Sequence, residues 1–253
     1  MLQSSNGTHY ELCGNRENSP IVLIHGLGLR LSLWSDYISA LAEDYFIINY
    51  DLFGHGASEP PPSVPSLVLF SEQLKDMLDE TEVECASIIG FSLGGMINRR
   101  FAMDYPDRVQ SLIILNSPHE RDPKEQLLVE ERAKKTVKGG PAATLDTTLK
   151  RWFTADFLSS QPNEIGRVRE WVLSNDPKIY AQCRFVLAAG VKELIQPNPP
   201  INKPTLVATC ENDSGSTPEM TLSIASEIKG AKSAIVPELQ HLGLIERPDL
   251  FLS

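Results

Sequence analysis

The stretch Cys85-Ala86-Ser87-Ile88-Ile89-Gly90-Phe91-Ser92-Leu93-Gly94-Gly95 joins an apolar, strand-like run to a helix-like run from Leu93 to Met103. A strand that turns sharply into a helix has no room for side chains two positions before and two after its apex. Gly90 and Gly94 occupy those positions. The apex residue, Ser92, is then forced into a strained backbone conformation that lifts its Oγ off the sheet, with the unpaired N–H groups of a helix N-terminus behind it. Ser92 is thus placed as a nucleophile. G-x-S-x-G fixes only three residues of five and recurs by chance, so the strand before it and the helix after it carry the reading.

Outward from this turn, residues 20–24 form a continuous apolar run suited to a parallel strand covered on both faces, ended by His25-Gly26-Leu27-Gly28. Residues 8–13 read as an edge strand, 31–42 as a helix, 45–50 as a second buried strand and 66–80 as another helix. Residues 109–115 make the next strand. This rhythm predicts an α/β fold, a mostly parallel doubly wound sheet with helices on both faces. From about Ser117 to Asn202 no buried strand appears. Leu145, Leu149, Trp152 and Phe153 instead fall at helical spacing, as do Ile165, Val168, Trp171 and Val172, and then Ile179, Cys183, Val186 and Leu187. Pro197-Asn198-Pro199-Pro200 reads as a stiff linker out of this insertion. The sheet resumes at residues 204–209, followed by a helix over 218–229 and a last strand over 233–236. The expected organisation is a core of 1–116 and 203–253 with a helical cap, 117–202, over the carboxyl edge of the sheet.

Length and hydrophobic content, 253 residues and 42%, allow a large core, as one domain with an insertion or as two. The formal charge of -10, with no run of five basic residues, argues against nucleic acid and anionic membranes as partners. No apolar run approaches the roughly 18 residues of a membrane span, and no leader-like pattern opens the chain, so a soluble cytoplasmic protein is expected. Cys13, Cys85, Cys183 and Cys210 lie far apart, which argues against a metal site or disulfide scaffold. They are expected to be buried apolar residues. A small molecule is the expected partner, with no cofactor.

A serine hydroxyl is a poor nucleophile near neutral pH and needs a histidine to take its proton and a carboxylate to orient that histidine. Of five histidines, His9 lies on an edge, His25 and His55 sit beside glycines in turns that an imidazole can brace, and His119 follows the strand after Ser92. His241 follows the last strand, at the carboxyl edge where open α/β sheets bind ligands. It is the best base. Asp213, in the polar turn after residues 204–209, is the best acid, with Glu211, Glu120 and Asp122 as rivals; Ser, Asp, His is the chain order of triads built on such sheets. The N–H groups of Leu93, after the nucleophile, and Leu27, in the glycine turn, are candidate oxyanion donors. The bland alternative for the glycine turn is a strand end.

Taken together these features resemble the α/β-hydrolase family nearly end to end. Asp51-Leu52-Phe53-Gly54-His55-Gly56-Ala57-Ser58 matches the family's D-x-x-G-H-G-x-S turn, which is structural there. Several segments are similar to 3-oxoadipate enol-lactonases: Gly90 to Gly95, Tyr105-Pro106-Asp107-Arg108-Val109, Arg151-Trp152-Phe153-Thr154, Ser216-Thr217-Pro218-Glu219-Met220, and His241-Leu242 with Ile245-Glu246-Arg247-Pro248. His25-Gly26-Leu27-Gly28 departs from the serine-containing turn of those lactonases and takes the form common in esterases and carbon-carbon hydrolases. The resemblance implies a serine hydrolase of a small ester or lactone, with a carboxylate-bearing enol-lactone as the candidate substrate. A carbon-carbon hydrolase of a diketone and a non-catalytic receptor are the alternatives, the receptor disfavoured by the intact set of triad residues. Ser92 at the apex argues against an aspartate-nucleophile dehalogenase or epoxide hydrolase. A carboxylate entering an acidic protein needs local positive charge, which a guanidinium supplies bidentately. Arg30, past the glycine turn, and Arg151 are the candidates, with Trp152 as a pocket wall; a solvated or paired arginine is the bland reading. Because the chain ends at Ser253, the family's closing helix is expected to be short.

Overall fold

The structure, a computed structural model, describes residues 1–252; Ser253, the end of the expected core, lies outside that range. In chain order the strands and helices are β1 (Leu2–Gln3), β2 (His9–Cys13), β3 (Ser19–Ile24), α1 (Ser35–Leu41), β4 (Tyr45–Tyr50), α2 (Leu67–Glu80), β5 (Ala86–Phe91), α3 (Leu93–Asp104) and β6 (Val109–Leu115). There follow α4 (Pro123–Gly139), α5 (Leu145–Trp152), α6 (Ala155–Ser160), α7 (Pro162–Leu173) and α8 (Pro177–Ala189), then β7 (Thr205–Cys210), α9 (Pro218–Glu227), β8 (Lys232–Val236) and α10 (Gly243–Glu246).

Eight strands form one sheet in the order β1-β2-β4-β3-β5-β6-β7-β8. β1 and β2 pair antiparallel at one edge, and β4 through β8 with β3 are parallel. Parallel strands need crossover helices on both faces, which is why Val22, Leu23, Ile24, Ile47 and Ile48 are wholly buried. The chain runs outward from β3 to β4 and then returns to place β5 on the other side of β3. That reversal opens a crevice beyond the carboxyl ends of β3 and β5, where ligands bind in such sheets. Register across it is tight: Ile24 pairs with Gly90, and Gly90 with Ile114.

The core strands lie within a residue of their expected bounds except β5, which runs two residues past the apolar run 85–89, to Phe91. The segment expected as one helix over 31–42 is instead a 3-10 turn, Leu31–Trp34, followed by the short α1. α9 ends at Glu227, before Lys229. Four elements carry no signal that the pattern reading caught, among them the short helices α6 and α10. β1 is only two residues long, and α4, the longest helix of the insertion, leaves Leu127, Leu128 and Val137 exposed and so lacks a clean apolar stripe. Cys183 and Cys210 are buried, but Cys13 is half-buried on the edge strand β2 and Cys85, just before β5, is exposed. The expectation of four buried cysteines therefore fails at the sheet's margins.

Helices α5, α7 and α8 pack onto the sheet's own core, and α4 packs on α8: Leu149, Phe153, Val172 and Tyr180 belong to the same buried cluster as Leu27, Leu29, Phe91 and Leu93. A clamp fixes the join. Glu246 on α10 accepts from the Thr154 N–H at 2.8 Å and from Thr154 Oγ1 at 2.6 Å, while the Leu242 N–H donates to the Trp152 carbonyl at 2.8 Å. Among the described residues no helix is long and apolar enough to cross a membrane.

Candidate active site

At the end of β5 the chain makes the turn that its glycines allow. Ser92 stands at φ +55°, ψ -111°, a backbone region costly for a side-chain-bearing residue and held only because its surroundings over-determine it. A Cβ on Gly90 would overlap the Gly94 carbonyl, and one on Gly94 would overlap the Ile24 carbonyl. The Ser92 N–H is tied to the Leu115 carbonyl at 2.8 Å.

His241 lies in the loop between β8 and α10. Its Nε2 is 3.1 Å from Ser92 Oγ, and its Nδ1 is 2.6 Å from Asp213 Oδ2. Asp213 can only accept while ionised, so Nδ1 carries the proton and Nε2 faces the serine as acceptor. The imidazole is packed between the Phe91 and Trp152 rings, whose centroids are 5.0 and 6.1 Å away. Asp213 Oδ1 accepts from the N–H groups of Gly215 and Ser216 at 2.8 and 3.0 Å. Asn116 Nδ2 donates to Oδ2 at 2.9 Å. Burial pushes the Asp213 carboxyl up, but the facing His241 and these hydrogen bonds outweigh it and hold the group below its ordinary range.

The rival residues are engaged elsewhere. Glu211 accepts from the Glu238 N–H at 2.9 Å, Asp122 caps α4 through the N–H groups of Lys124 and Glu125, and Glu120 is exposed. His9 pairs with Asp51 at 2.9 Å, and His119 lies 3.2 Å from Glu227. His25 is a buried brace: its Nε2 accepts from the Leu52 N–H at 3.0 Å, which leaves Nδ1 to donate to the Gly26 carbonyl at 2.8 Å. That carbonyl is turned toward His25, so the trans peptide sends the Leu27 N–H to the opposite side. Gly26 itself lies against Ser92, since a Cβ there would come within 3.2 Å of Ser92 Cβ. Leu93 opens α3, and its N–H is one of those a helix start leaves without an intrahelical acceptor.

A cavity of about 330 Å³ lies over Ser92, bounded by Leu27, Phe91, Asp213 and His241 below and by residues of the insertion above. Of the three residues expected to bind substrate, Trp152 and Arg151 line it and Arg30 does not. Arg30 leaves the turn in an extended conformation and reaches Ser174 Oγ at 3.4 Å, on the outside of the join. Arg121, Arg132 and Arg184 line the cavity and were not singled out from sequence. Arg184 could have been found as the residue four after Tyr180 on the same helix face. Asn116 was also missed; its signal was its place directly after β6, on the edge that carries Asp213. Among the described residues no group of three or more His, Cys, Asp or Glu side chains is disposed to hold a metal ion.

A family model described as the alpha/beta hydrolase fold matches residues 19–248. The chain is 27% identical to (E)-2-((N-methylformamido)methylene)succinate hydrolase of Acinetobacter baylyi, over 98% of this chain and 93% of that protein. It is 25% identical to 3-oxoadipate enol-lactonase 2 of the same organism, over 96% and 89%. Among solved structures, an enol-lactonase from Burkholderia xenovorans LB400 superposes with a TM-score of 0.87 at 28% identity, covering 97% of this chain and 93% of that one.

Proposed function

The chain belongs to the α/β-hydrolase family, and from that premise we propose that it is a serine hydrolase of a small ester or lactone bearing a carboxylate. The observation that carries this reading is the continuous line from Ser92 Oγ to His241, 3.1 Å, and from His241 to Asp213, 2.6 Å. In the proposed mechanism Ser92 Oγ attacks the carbonyl carbon as His241 Nε2 takes its proton, and Asp213 stabilises the imidazolium so formed. The N–H groups of Leu27 and Leu93 receive the developing oxyanion, each worth on the order of 10²- to 10³-fold in turnover. His241 then protonates the leaving oxygen, which in a lactone remains attached to the acyl-enzyme, and water reverses the sequence. Helices α4–α8, within residues 117–202, act as a cap that selects the substrate, with Trp152 as a wall and Arg151 holding the carboxylate.

Labelling with a fluorophosphonate followed by peptide mass mapping should modify Ser92, and Ser92→Ala should abolish both labelling and hydrolysis in a screen of p-nitrophenyl esters and enol-lactones. The form of the turn His25-Gly26-Leu27-Gly28 keeps a carbon-carbon hydrolase as the second reading. Turnover of vinylogous diketones with no turnover of esters would favour it, and labelling without turnover of either class would favour a receptor.

A further inference from the structure

Four arginines and only two carboxylates, Glu125 and Asp213, line the cavity above Ser92. Asp213 is committed to His241, Gly215, Ser216 and Asn116. Glu125 lies in the field of Arg121. Arg132 is exposed at the rim and needs no partner, but Arg151 and Arg184 are half-buried, and among the described residues no carboxylate lies within 4 Å of either. Several arginines elsewhere pair with carboxylates, Arg100 with Asp104 and Glu193, Arg108 with Asp79, Arg169 with Asp146, Arg247 with Asp249, and the buried Arg99 instead donates to the Gly95 and Pro118 carbonyls and to Ser117 Oγ.

The two guanidiniums come from different helices, Arg151 from α5 and Arg184 from α8. Arg151 stands on the acid side, where a Cβ added to Gly215 would lie 3.7 Å from its Nη1. Arg184 lies one turn after Tyr180 on α8, its positive charge acts on that tyrosine's hydroxyl, and the tyrosine ring packs on Gly28 in the glycine turn. Burial lowers the Arg151 guanidinium's affinity for its proton, and the positive charges of Arg184 and Arg132 lower it further. Arg151 and Arg184 are like charges in one cavity, and a single carboxylate, even shared between them, leaves the pair with net positive charge.

We propose that the substrate carries two carboxylates, one held by Arg151 on the acid side of Ser92 and one by Arg184 on the oxyanion-turn side. This rests on the serine-hydrolase reading for the position of the scissile bond. Placement on two different helices, α5 and α8, favours two separated acid groups over one compact dianion such as phosphate, and a volume of about 330 Å³ suits a small diacid.

Calorimetric titration of the Ser92→Ala protein with adipate, hexanoate and inorganic phosphate tests the proposal without turnover. Adipate should bind at least about 10-fold tighter than hexanoate of equal length, as expected for one additional charge-assisted bidentate pair. Arg184→Gln, with its fold checked by circular dichroism, should remove that advantage and leave hexanoate binding to Arg151. Equal binding of adipate and hexanoate by the parent Ser92→Ala protein would overturn the proposal whether or not the variant folds, and so would phosphate binding tighter than adipate. If the fluorophosphonate labels Ser92 while diacid and monoacid bind equally, this inference fails and the hydrolase reading stands. Tight adipate binding without labelling or turnover would sink the hydrolase reading and leave the two-carboxylate site.

Discussion

In the proposed mechanism Ser92 and His241 act as one unit, because the hydroxyl is a competent nucleophile only while Nε2 takes its proton. Ser92→Ala and His241→Ala should therefore each remove nearly all turnover; in another serine triad either loss costs on the order of 10⁶-fold. Single-turnover assays on the best substrate check this, and a tenth of the parent rate in either variant would contradict it. Asp213→Asn should cost on the order of 10⁴-fold, since an amide in that place favours the wrong imidazole tautomer. Asn116 touches neither substrate nor serine, so it is a positioning residue that acts through Asp213. A hydrogen bond to a charged group contributes about 1.5–3 kcal/mol, so Asn116→Ala should lower kcat roughly 10- to 100-fold with little change in KM, and Asn116→Gln should not restore it if the 2.9 Å geometry matters. An unchanged kcat would mean that the Gly215 and Ser216 N–H groups hold the carboxylate unaided. Of the proposed triad, Ser92 and Asp213 were open to sequence reasoning because each follows a buried strand, β5 and β7, whose apolar run is easy to see, whereas His241 was open to it only through its place after β8, a mostly exposed edge strand. Arg184 and Asn116 were not, since what recruits them is the packing of one element onto another. Arg30 is the converse case: closeness in sequence to the glycine turn says nothing of the direction in which a side chain leaves it.

At the scale of elements, strands β3 to β6 were legible because interior parallel strands are apolar on both faces, whereas α4 hides behind a stripe broken by exposed Leu127, Leu128 and Val137. Two segments that sequence comparison set apart for their lactonase-like character, Arg151 to Thr154 and Ile245 to Pro248, turn out to be joined. Glu246 grips Thr154 by both its N–H and its hydroxyl, and Trp152 accepts from the Leu242 N–H, next to His241. The end of α5 and the histidine loop therefore move together or not at all. Glu246→Ala leaves the Thr154 donors without their acceptor and frees the loop, so kcat should fall by about 10-fold or more, as expected when a reacting group loses its fixed orientation. Ser92 labelling should slow in parallel, because His241 no longer holds its place against Oγ. A variant with normal kcat and only a lower Tm would reduce this clamp to a packing contact.

Over the whole molecule, acid stability follows from histidines sealed inside. Burial first, and then the neighbouring His25, pulls His55 down to about 3; burial lowers His25 as well. Both are neutral in the folded protein, while the unfolded chain binds their protons near pH 6.5. The stability they contribute is complete above that pH and is lost as pH falls toward their folded values, at about 1.4 kcal/mol per pH unit for each proton. The depressed Asp213 carboxyl adds loss in the same direction below about pH 4. Urea midpoints should thus be flat from pH 7 to 8 and fall from pH 6 to 4, with His55→Gln reducing the slope by about one proton; a midpoint rising on acidification from pH 7 to 5 would contradict the assignment. The remaining question is whether the proposed core, 1–116 with 203–253, and the proposed cap, 117–202, unfold as one. A chain of this length can break two-state behaviour, but a single buried cluster runs from Val22 and Ile48 in the sheet through Leu27 to Leu149, Val172 and Tyr180 in the insertion. Removing the helices would expose that shared apolar surface, at roughly 25 cal/mol per Å², so separate unfolding of the cap is costly. Trp34 is buried under the sheet while Trp152 and Trp171 lie in the insertion, so Trp34→Phe leaves fluorescence reporting on the cap alone. In that variant the urea transitions followed by fluorescence and by far-ultraviolet circular dichroism should coincide, and a fluorescence midpoint clearly below the dichroism midpoint would establish the cap as an independently unfolding unit.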